Sequence, residues 1–557
     1  MKVILAAVNA KYVHSNPAVY ILKEYVSNCK SQIEICEYTI NQYVDEILID
    51  LYEKKPDILC FSCYIWNMSH IKELTETIHR ISPELPIWFG GPEVSYGVKE
   101  LMEEIPMLTG IMMGEGEETF RELLSYYEGE IESKQEIKGI AYRENKEIKI
   151  NEWREPISLD KVPFIYQKME AFENKIIYYE TSRGCPFLCS YCLSSIDRVL
   201  RFRSIEIVKK ELLFFLEKKV MQVKFVDRTF NCKHTHAMDI WKFIKEHDNG
   251  VTNFHFEISA DLFTEEEIAF LSTLRPGLIQ LEIGVQSTNE ETLKEINRPM
   301  KFEKITWAVQ KIKQKGNVHQ HLDLIVGLPK ENLESFKNSF KEVYELRPEQ
   351  LQLGFLKVLK GSQMERMQKE YGLVYKKSAP YEVLYTKWIS YEELIEIKKV
   401  EEMLEVYYNS GQFQHTIEKI SGQYENAYDM FWELYRYYEK EGLCKISHNR
   451  IARYRILYAF ILEKKWDEKF YKELLLYDLY LREKVKNRPD FLGEYRVSKE
   501  EIRQIFIKQG MLPVKNMLHI EKFFYDEKGK QIKEPRYVLF DYTNRSKIDN
   551  QAEVKLL

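Results

Sequence analysis

At 557 residues, with 45% hydrophobic and 30% charged side chains, the chain is long enough for about three or four packed domains and too apolar to be disordered. Its 81 basic and 87 acidic residues leave a net charge of −6, so no global field favours nucleic acid, and no apolar run approaches the roughly 18 residues that cross a bilayer. The opening Met1-Lys-Val-Ile-Leu-Ala-Ala7 lacks the longer apolar stretch of a secretory signal, and nine mostly scattered cysteines do not form a disulfide framework, so a soluble protein of the reducing cytoplasm is expected.

Residues 1–130 alternate short apolar runs with helix-period segments: Val3-Ala7 then Pro17-Val26, Ile33-Ile40 then Val44-Leu51, Ile58-Cys63 then Ile71-Ile81, Ile87-Gly91, and Ile111-Met113 then Glu117-Tyr127. The alternation predicts a doubly wound, Rossmann-like parallel sheet, whose ligands lie beyond the carboxyl ends of its strands. Distinctive residues gather there: the Asn9-Asn16 stretch containing His14, then Ser62-Cys63-Tyr64, Gly90-Gly91-Pro92-Glu93 and Gly114-Glu115-Gly116-Glu117. Glycines at these points let a wide, flat ligand lie against the backbone; helix caps and turns would use them equally. His14 reads as a capping or loop-packing residue. Residues 131–170 hold a hairpin, Ile137-Arg143 with Glu147-Asn151, and a polar joint, Leu159-Asp-Lys-Val-Pro163, read together as a linker.

Over 171–374 the alternation resumes with Ile176-Glu180, Val223-Val226, Phe254-Ile258, Leu278-Ile283, Leu322-Val326 and Leu351-Phe355 as strands. Successive β/α units of this kind predict a partial (β/α)6 barrel of TIM type, with chemistry on the loops at the strands' carboxyl ends. The first such loop reads Gly184-Cys185-Pro-Phe187-Leu-Cys189-Ser-Tyr191-Cys192, a Cys-x3-Cys-x2-Cys spacing. Three thiolates can hold three irons of a four-iron cluster and leave the fourth iron open, whereas structural clusters and closed zinc sites take four ligands. A zinc loop that draws its fourth ligand from elsewhere is the plain alternative. The later strands end in Asp227-Asn231, Glu257-Asp261, Glu282-Ser287, Asp323-Pro329 and Phe355-Lys357, so polar groups collect at one mouth.

Residues 375–557 turn mainly helical, with amphipathic stretches at Tyr391-Tyr408, Tyr424-Glu439 and Asp467-Val485, and end in strand-like Lys522-Tyr525 and Tyr537-Phe540. Tyrosines at helical spacing read as core and interface, so nucleic-acid binding is not indicated.

The cysteine loop resembles the signature of the radical S-adenosylmethionine superfamily. Gly-Gly-Pro-Glu and Gly-Glu-Gly-Glu-x-Thr-Phe resemble the cobalamin-binding domain fused to many of its members, and the domain order resembles those carrying a C-terminal domain of unknown function. The resemblance implies that Cys185, Cys189 and Cys192 ligate a [4Fe–4S] cluster whose open iron binds S-adenosylmethionine. It implies that Phe187 and Tyr191 shield the cluster and flank adenine, that Glu257, Gln286 and Ser287 bind the methionyl and ribose parts, and that Gly327 allows a close approach to adenine. Arg298 would contact a carboxylate or the substrate. Ser62, Gly90, Gly91, Glu93, Gly114 and Gly116 would line the cobalamin site, and since the chain lacks an Asp-x-His-x-x-Gly segment, cobalt is expected without a histidine ligand. The implied activity is formation of a 5′-deoxyadenosyl radical, with an electron donor such as flavodoxin or ferredoxin, used to methylate an unactivated carbon. A rearrangement, cyclisation or sulfur insertion is an alternative within the superfamily, and a non-catalytic cobalamin or metal sensor is one outside it.

Overall fold

The computed structural model describes residues 1–197, 199–493, 497–508, 517–526 and 529–557. Five parallel strands, β1 (Lys2–Asn9), β2 (Gln32–Thr39), β3 (Ile58–Ser62), β4 (Ile87–Gly90) and β5 (Gly110–Met112), stand in the order β2-β1-β3-β4-β5. Strand β1 is apolar along most of its length because both its faces are covered. Ile4, Ala6 and Val8 join one core with helices α2 (Val44–Glu53), α3 (Met68–Ile81) and α4 (Val98–Glu104), while Val3, Leu5 and Ala7 join another with α1 (Pro17–Tyr25) and α5 (Glu117–Tyr127).

The hairpin read as part of the linker is instead the edge of this sheet: β6 (Ile140–Glu144) pairs antiparallel with β5, and β7 (Glu147–Ile150) with β6. Its Asn145 and Lys146 take φ of 48° and 69°, the left-handed pair that a two-residue hairpin turn needs. Ile140, Ala141 and Tyr142 are fully buried there, which no free-standing linker could achieve.

The central sheet is wholly parallel and sequential: β8 (Ile177–Tyr179), β9 (Gln222–Phe225), β10 (Asn253–Ile258), β11 (Ile279–Gln286), β12 (His319–Val326) and β13 (Gln350–Phe355). Helices α6 (Ile205–Glu217), α7 (His234–Glu246), α8 (Glu265–Leu271), α9 (Glu290–Glu295), α10 (Phe302–Lys313) and α11 (Leu333–Glu345) cover its outer face. Phe254, Phe256, Leu281, Ile283, Leu322 and Leu324 pack outward into that core, so the alternate positions Lys224, His255, Glu257, Glu282, His321 and Asp323 point into the barrel. Lys224 Nζ and His255 Nε2 each lie 3.0 Å from Glu282, and His321 Nε2 lies 3.1 Å from Asp323. Burial alone would raise the Glu282 carboxyl, but His255 and Lys224 hold it at about 2.

Beyond the barrel come α12 (Tyr391–Leu404), α13 (Gln414–Ser421), α14 (Ala427–Lys440), α15 (Arg450–Glu463), α16 (Glu468–Arg482) and α17 (Lys499–Lys508). They lead into an antiparallel sheet of β14 (Leu518–Tyr525), β15 (Gln531–Arg545) and β16 (Ala552–Leu556), longer than the two strand segments legible in the sequence. One hydrophobic core runs through the barrel and these helices; Phe340 and Tyr344 of α11 meet Phe431 of α14 at ring distances of 6.2 and 5.9 Å. The turn between β15 and β16 reaches the amino-terminal end of the barrel, where a Cβ on Gly277 would lie 2.8 Å from the Lys547 carbonyl oxygen. Among the described residues no helix is long and apolar enough to cross a membrane.

Candidate functional site

The cysteine loop leaves β8 and is anchored at once. Buried Asp227, just past β9, accepts hydrogen bonds from Thr181 N–H (3.0 Å), Thr181 Oγ1 (2.6 Å) and Ser182 Oγ (2.6 Å). Arg183 then pairs antiparallel with Arg201, closing the loop over residues 184–200. Gly184 has φ of 87°, and a Cβ there would lie 2.7 Å from the Val199 carbonyl oxygen, so only glycine lets the two ends approach. Farther round, Ser190 N–H donates to Ile296 O (2.9 Å) and Met364 N–H donates to Ser190 O (2.8 Å). Cys189 is buried and lies 3.7 Å from Arg298 Nη1; Cys185 Sγ lies 3.7 Å from Thr229 Oγ1. Burial pushes the Cys185 thiol up, and the nearby Cys192 and Cys189 act in the same direction, so the three sulfurs share one neighbourhood.

Among the described residues no group of three or more His, Cys, Asp or Glu side chains stands at the spacing that holds a single ion. Three thiols on one loop, with a guanidinium donating to one of them, fit the three irons of a cluster that such a loop can hold.

Beside them, β11 bulges between Gly284 and Gln286, and Gln286 takes φ of 71°. Its buried Oε1 has no hydrogen-bond partner, nor has buried Nε of Arg298. Arg298 also donates to Gly284 O (2.5 Å) and lies 6.0 Å from the Phe187 ring centroid, which makes it a brace between the cysteine loop and β11. Tyr191 packs against the barrel core. Orphaned polar atoms next to the three thiols fit a polar chelating ligand such as S-adenosylmethionine. Glu257 points into the barrel, its carboxyl raised to about 7 by burial and by neighbouring Glu282. Two of the residues are committed to the protein itself. Ser287 donates to buried Glu331 (2.6 Å), whose carboxyl burial raises to about 7. Gly327 has φ of 88°, and a Cβ there would meet Val383 Cγ1 at 2.9 Å.

The carboxyl edge of the N-terminal sheet faces this mouth. Ile176 N–H donates to Val13 O (2.8 Å), and His14 Nδ1 lies 2.5 Å from the Tyr178 hydroxyl of β8, so His14 joins the two domains. Ser62 Oγ accepts from Asn16 Nδ2 (3.0 Å), while buried Asn16 Oδ1 has no partner. Tyr64 and Trp66 stack at 4.4 Å, and Tyr64 lies within electrostatic reach of Arg228 and Glu180 on the barrel. An orphaned amide beside stacked rings at this edge fits contact with a large planar cofactor such as cobalamin. Gly91, and more mildly Gly114 and Gly116, answer to the protein's own packing, whereas a Cβ on Gly90 would meet only ordinary contact. A Cβ on Gly91 would lie 2.5 Å from Cys63 O, on Gly114 3.1 Å from the Trp153 ring, on Gly116 3.2 Å from Leu22 and on Gly90 3.5 Å from Met112. Glu93 is buried and accepts from the Tyr381 hydroxyl, with Lys360 Nζ 3.9 Å away.

Sequence reasoning singled out Asp227, Arg298, Glu115 and Glu117 but not their roles as braces, Asp227 under the loop, Arg298 across it and the two carboxylates against Arg183 and Arg201, and it missed Glu331 behind Ser287. The sequence signal was present as acidic residues in the glycine-rich loop and arginines flanking the cysteines, but nothing local pairs them.

Family models match the chain in three successive segments: B12 binding domain over residues 3–124, Radical SAM superfamily over 179–343, and Protein of unknown function (DUF4080) over 369–540. The uncharacterized methyltransferase PH0819 of Pyrococcus horikoshii is 27% identical over 299 residues, 51% of this chain and 63% of that protein. The cobalamin-dependent radical SAM methyltransferase TokK of Streptomyces tokunonensis is 25% identical over 342 residues, 57% of this chain and 50% of that protein. An anaerobic magnesium-protoporphyrin IX monomethyl ester cyclase of Cereibacter sphaeroides is 21% identical over 326 residues, 54% of this chain and 51% of that protein. The chain thus spans less than two thirds of the length of each of these relatives. The solved structure of the cobalamin-dependent S-adenosylmethionine radical enzyme OxsB with aqua-cobalamin bound shares the fold, with a TM-score of 0.61 at 16% identity over 92% of this chain and 82% of that one. The radical S-adenosylmethionine methyltransferase TsrM of Kitasatospora setae does so with a TM-score of 0.57 at 16% identity, over 68% of this chain and 81% of that one. The chain thus carries a B12 binding domain, a radical SAM domain and a DUF4080 domain in that order, the arrangement of cobalamin-binding radical S-adenosylmethionine proteins, whose cofactors are a [4Fe–4S] cluster, S-adenosylmethionine and cobalamin.

Proposed function

We propose that the chain is a cobalamin-dependent radical methyltransferase acting on an unactivated carbon. The observation that supports this reading is that the carboxyl edge of the N-terminal sheet meets the base of the cysteine loop, Glu117 lying 2.7 Å from Arg183 and Glu115 2.7 Å from Arg201. The chemistry supplied by the bound groups is one-electron cleavage of a sulfonium and carriage of a methyl group. The chain's own residues bind, orient and exclude water. Cys185, Cys189 and Cys192 would hold three irons, with Arg298 donating to the sulfur of Cys189. Phe187 and Tyr191 would shield that site, and Gln286 and Glu257 would receive the polar parts of S-adenosylmethionine. Ser287, held by Glu331, and Gly327, held against Val383, would fix the strand ends that shape the adenine and ribose region. On the facing edge Asn16 would contact the corrin, while Ser62, Gly90, Gly91, Glu93, Gly114 and Gly116 give that edge its shape. A flavodoxin- or ferredoxin-like protein would deliver the electron.

Likeness to a cyclase as well as to methyltransferases supports a second reading, radical chemistry without methyl transfer. Anaerobic reconstitution, quantification of iron, sulfide and corrin, and assay of 5′-deoxyadenosine with methyl-labelled S-adenosylmethionine separate the two. The first reading expects 5′-deoxyadenosine together with label on the bound corrin; 5′-deoxyadenosine from a protein that never carries a corrin supports the second. Cys189→Ala is expected to lose the cluster and the nucleoside product, and cleavage by that variant at the normal rate would end both.

A further inference from the structure

The carboxylates of the glycine-rich loop after β5 reach out of their own domain. Glu115 Oε1 lies 3.2 Å from Arg183 Nη1 and 2.7 Å from Arg201 Nη2; Glu117 lies 2.7 Å from Arg183 Nη2, and Glu180 2.9 Å from Arg183 Nε. All three guanidinium nitrogens of Arg183 are thereby engaged. Glu115 Oε2 also accepts from Ile157 N–H (2.9 Å), and Arg201 Nη1 donates to Ile157 O (2.8 Å). The side chains of Glu117, Arg201, Arg183 and Glu115 are only 6%, 14%, 16% and 20% exposed, so losing one partner would strand a poorly solvated charge. Arg183 and Arg201 are the two residues whose pairing closes the loop that carries the cysteines.

We propose that Glu115 and Glu117 are positioning residues for the cluster loop: from the N-terminal domain they hold Arg183 and Arg201, and through them both ends of residues 184–200. The inference rests on reading the three cysteines as cluster ligands, but it gives the Gly114-Glu-Gly-Glu117 segment a task separate from lining a corrin site. A flexible loop of this length has to lose conformational entropy before three thiols can share one cluster, and the ion pairs supply that order in advance. Because the same residues tie the domains, filling the cluster site and docking of the N-terminal domain must favour each other reciprocally.

The test compares full-length wild type with Glu115→Gln, Glu117→Gln, Arg201→Gln, Arg201→Lys and the Glu115→Gln/Arg201→Gln double variant after anaerobic reconstitution, reading iron and sulfide per chain and amide exchange within 184–200. Iron in the Gln variants is expected to fall to about half or less, and exchange of the loop to quicken about tenfold, with far-ultraviolet circular dichroism unchanged. The double variant should lose no more than the worse single one, because the partners act as a unit. Arg201→Lys keeps the charge but cannot serve Glu115 and Ile157 together, so it should show the exchange defect with a smaller loss of iron and decides the matter should a Gln variant unfold. Glu118→Gln, which faces Arg121 on the same helix, should match wild type. Full iron and wild-type exchange in Arg201→Gln or Glu115→Gln, or losses that add in the double variant, would overturn the proposal. A wild type that takes up no iron would instead defeat the cluster reading beneath it.

Discussion

Arg298 stands where a single charge matters most, donating to Cys189 from one nitrogen and to Gly284 O from another. Removing a cation and a hydrogen bond next to a cluster sulfur makes the reduced state harder to reach. Arg298→Gln is therefore expected to move the cluster midpoint to more negative potential by tens of millivolts, read by redox titration with paramagnetic resonance; an unmoved potential would show that the guanidinium does not sense the cluster. Glu257 makes a different case. Its folded-state value of about 7 lies above its reference value of 4.5, raised first by burial and then by Glu282. A raised carboxyl favours the folded state below the unfolded value and loses that contribution as pH climbs through the folded one. Glu257→Gln should gain little stability over wild type near pH 4 and on the order of 1 kcal/mol at pH 8, a modest figure because the side chain keeps some solvent contact. Urea unfolding at the two pH values checks it, and an equal gain at both would contradict the assignment.

At the scale of the element, the cysteine loop shows how much of a site lies outside its motif. Spacing alone made Cys185, Cys189 and Cys192 legible, since it is a property of a few consecutive residues. It could not reveal that Gly184 is compressed against Val199, a contact formed only once Arg183 and Arg201 pair. Gly184→Ala must adopt an unfavourable left-handed conformation and push the Val199 carbonyl aside, so a local cost of about 1–3 kcal/mol is expected, with reduced iron uptake and an unchanged N-terminal domain. Full iron uptake by that variant would show the loop to be more yielding than its geometry implies. The hairpin of β6 and β7 teaches a related lesson. Its turn was legible from Glu144-Asn-Lys146, but its destination was not, because antiparallel addition to β5 is chosen by the free edge of a sheet and not by the hairpin.

In the whole molecule, the N-terminal domain carries two cores of its own, whereas the barrel and the helices after it share one. A boundary at residue 374, sensible from composition, therefore cuts through packed apolar side chains of α11, α12 and α14. Residues 1–374 produced alone are expected to aggregate or bind hydrophobic dye, with a native-like far-ultraviolet spectrum from the N-terminal part only. A monomeric fragment with the full barrel spectrum would refute the shared core. The β15–β16 turn strengthens this expectation, since it lies against Gly277 at the foot of β11, far in sequence from the barrel it contacts.

What the amino-acid order determined by itself was whatever depends on near neighbours: the alternation of apolar runs that makes two parallel sheets, their succession, and a three-cysteine loop at the end of a strand. Pairing between distant charges was left to the tertiary structure. Arg183 meets Glu117, and Tyr381 meets Glu93, because a poorly solvated charge or hydroxyl must find a partner at whatever chain distance the fold offers. The same holds for the glycines at the N-terminal edge. A sequence records that a side chain is missing, and only the folded chain shows whether the vacated space belongs to a ligand or, as at Gly91 and Gly116, to the protein's own carbonyl and leucine.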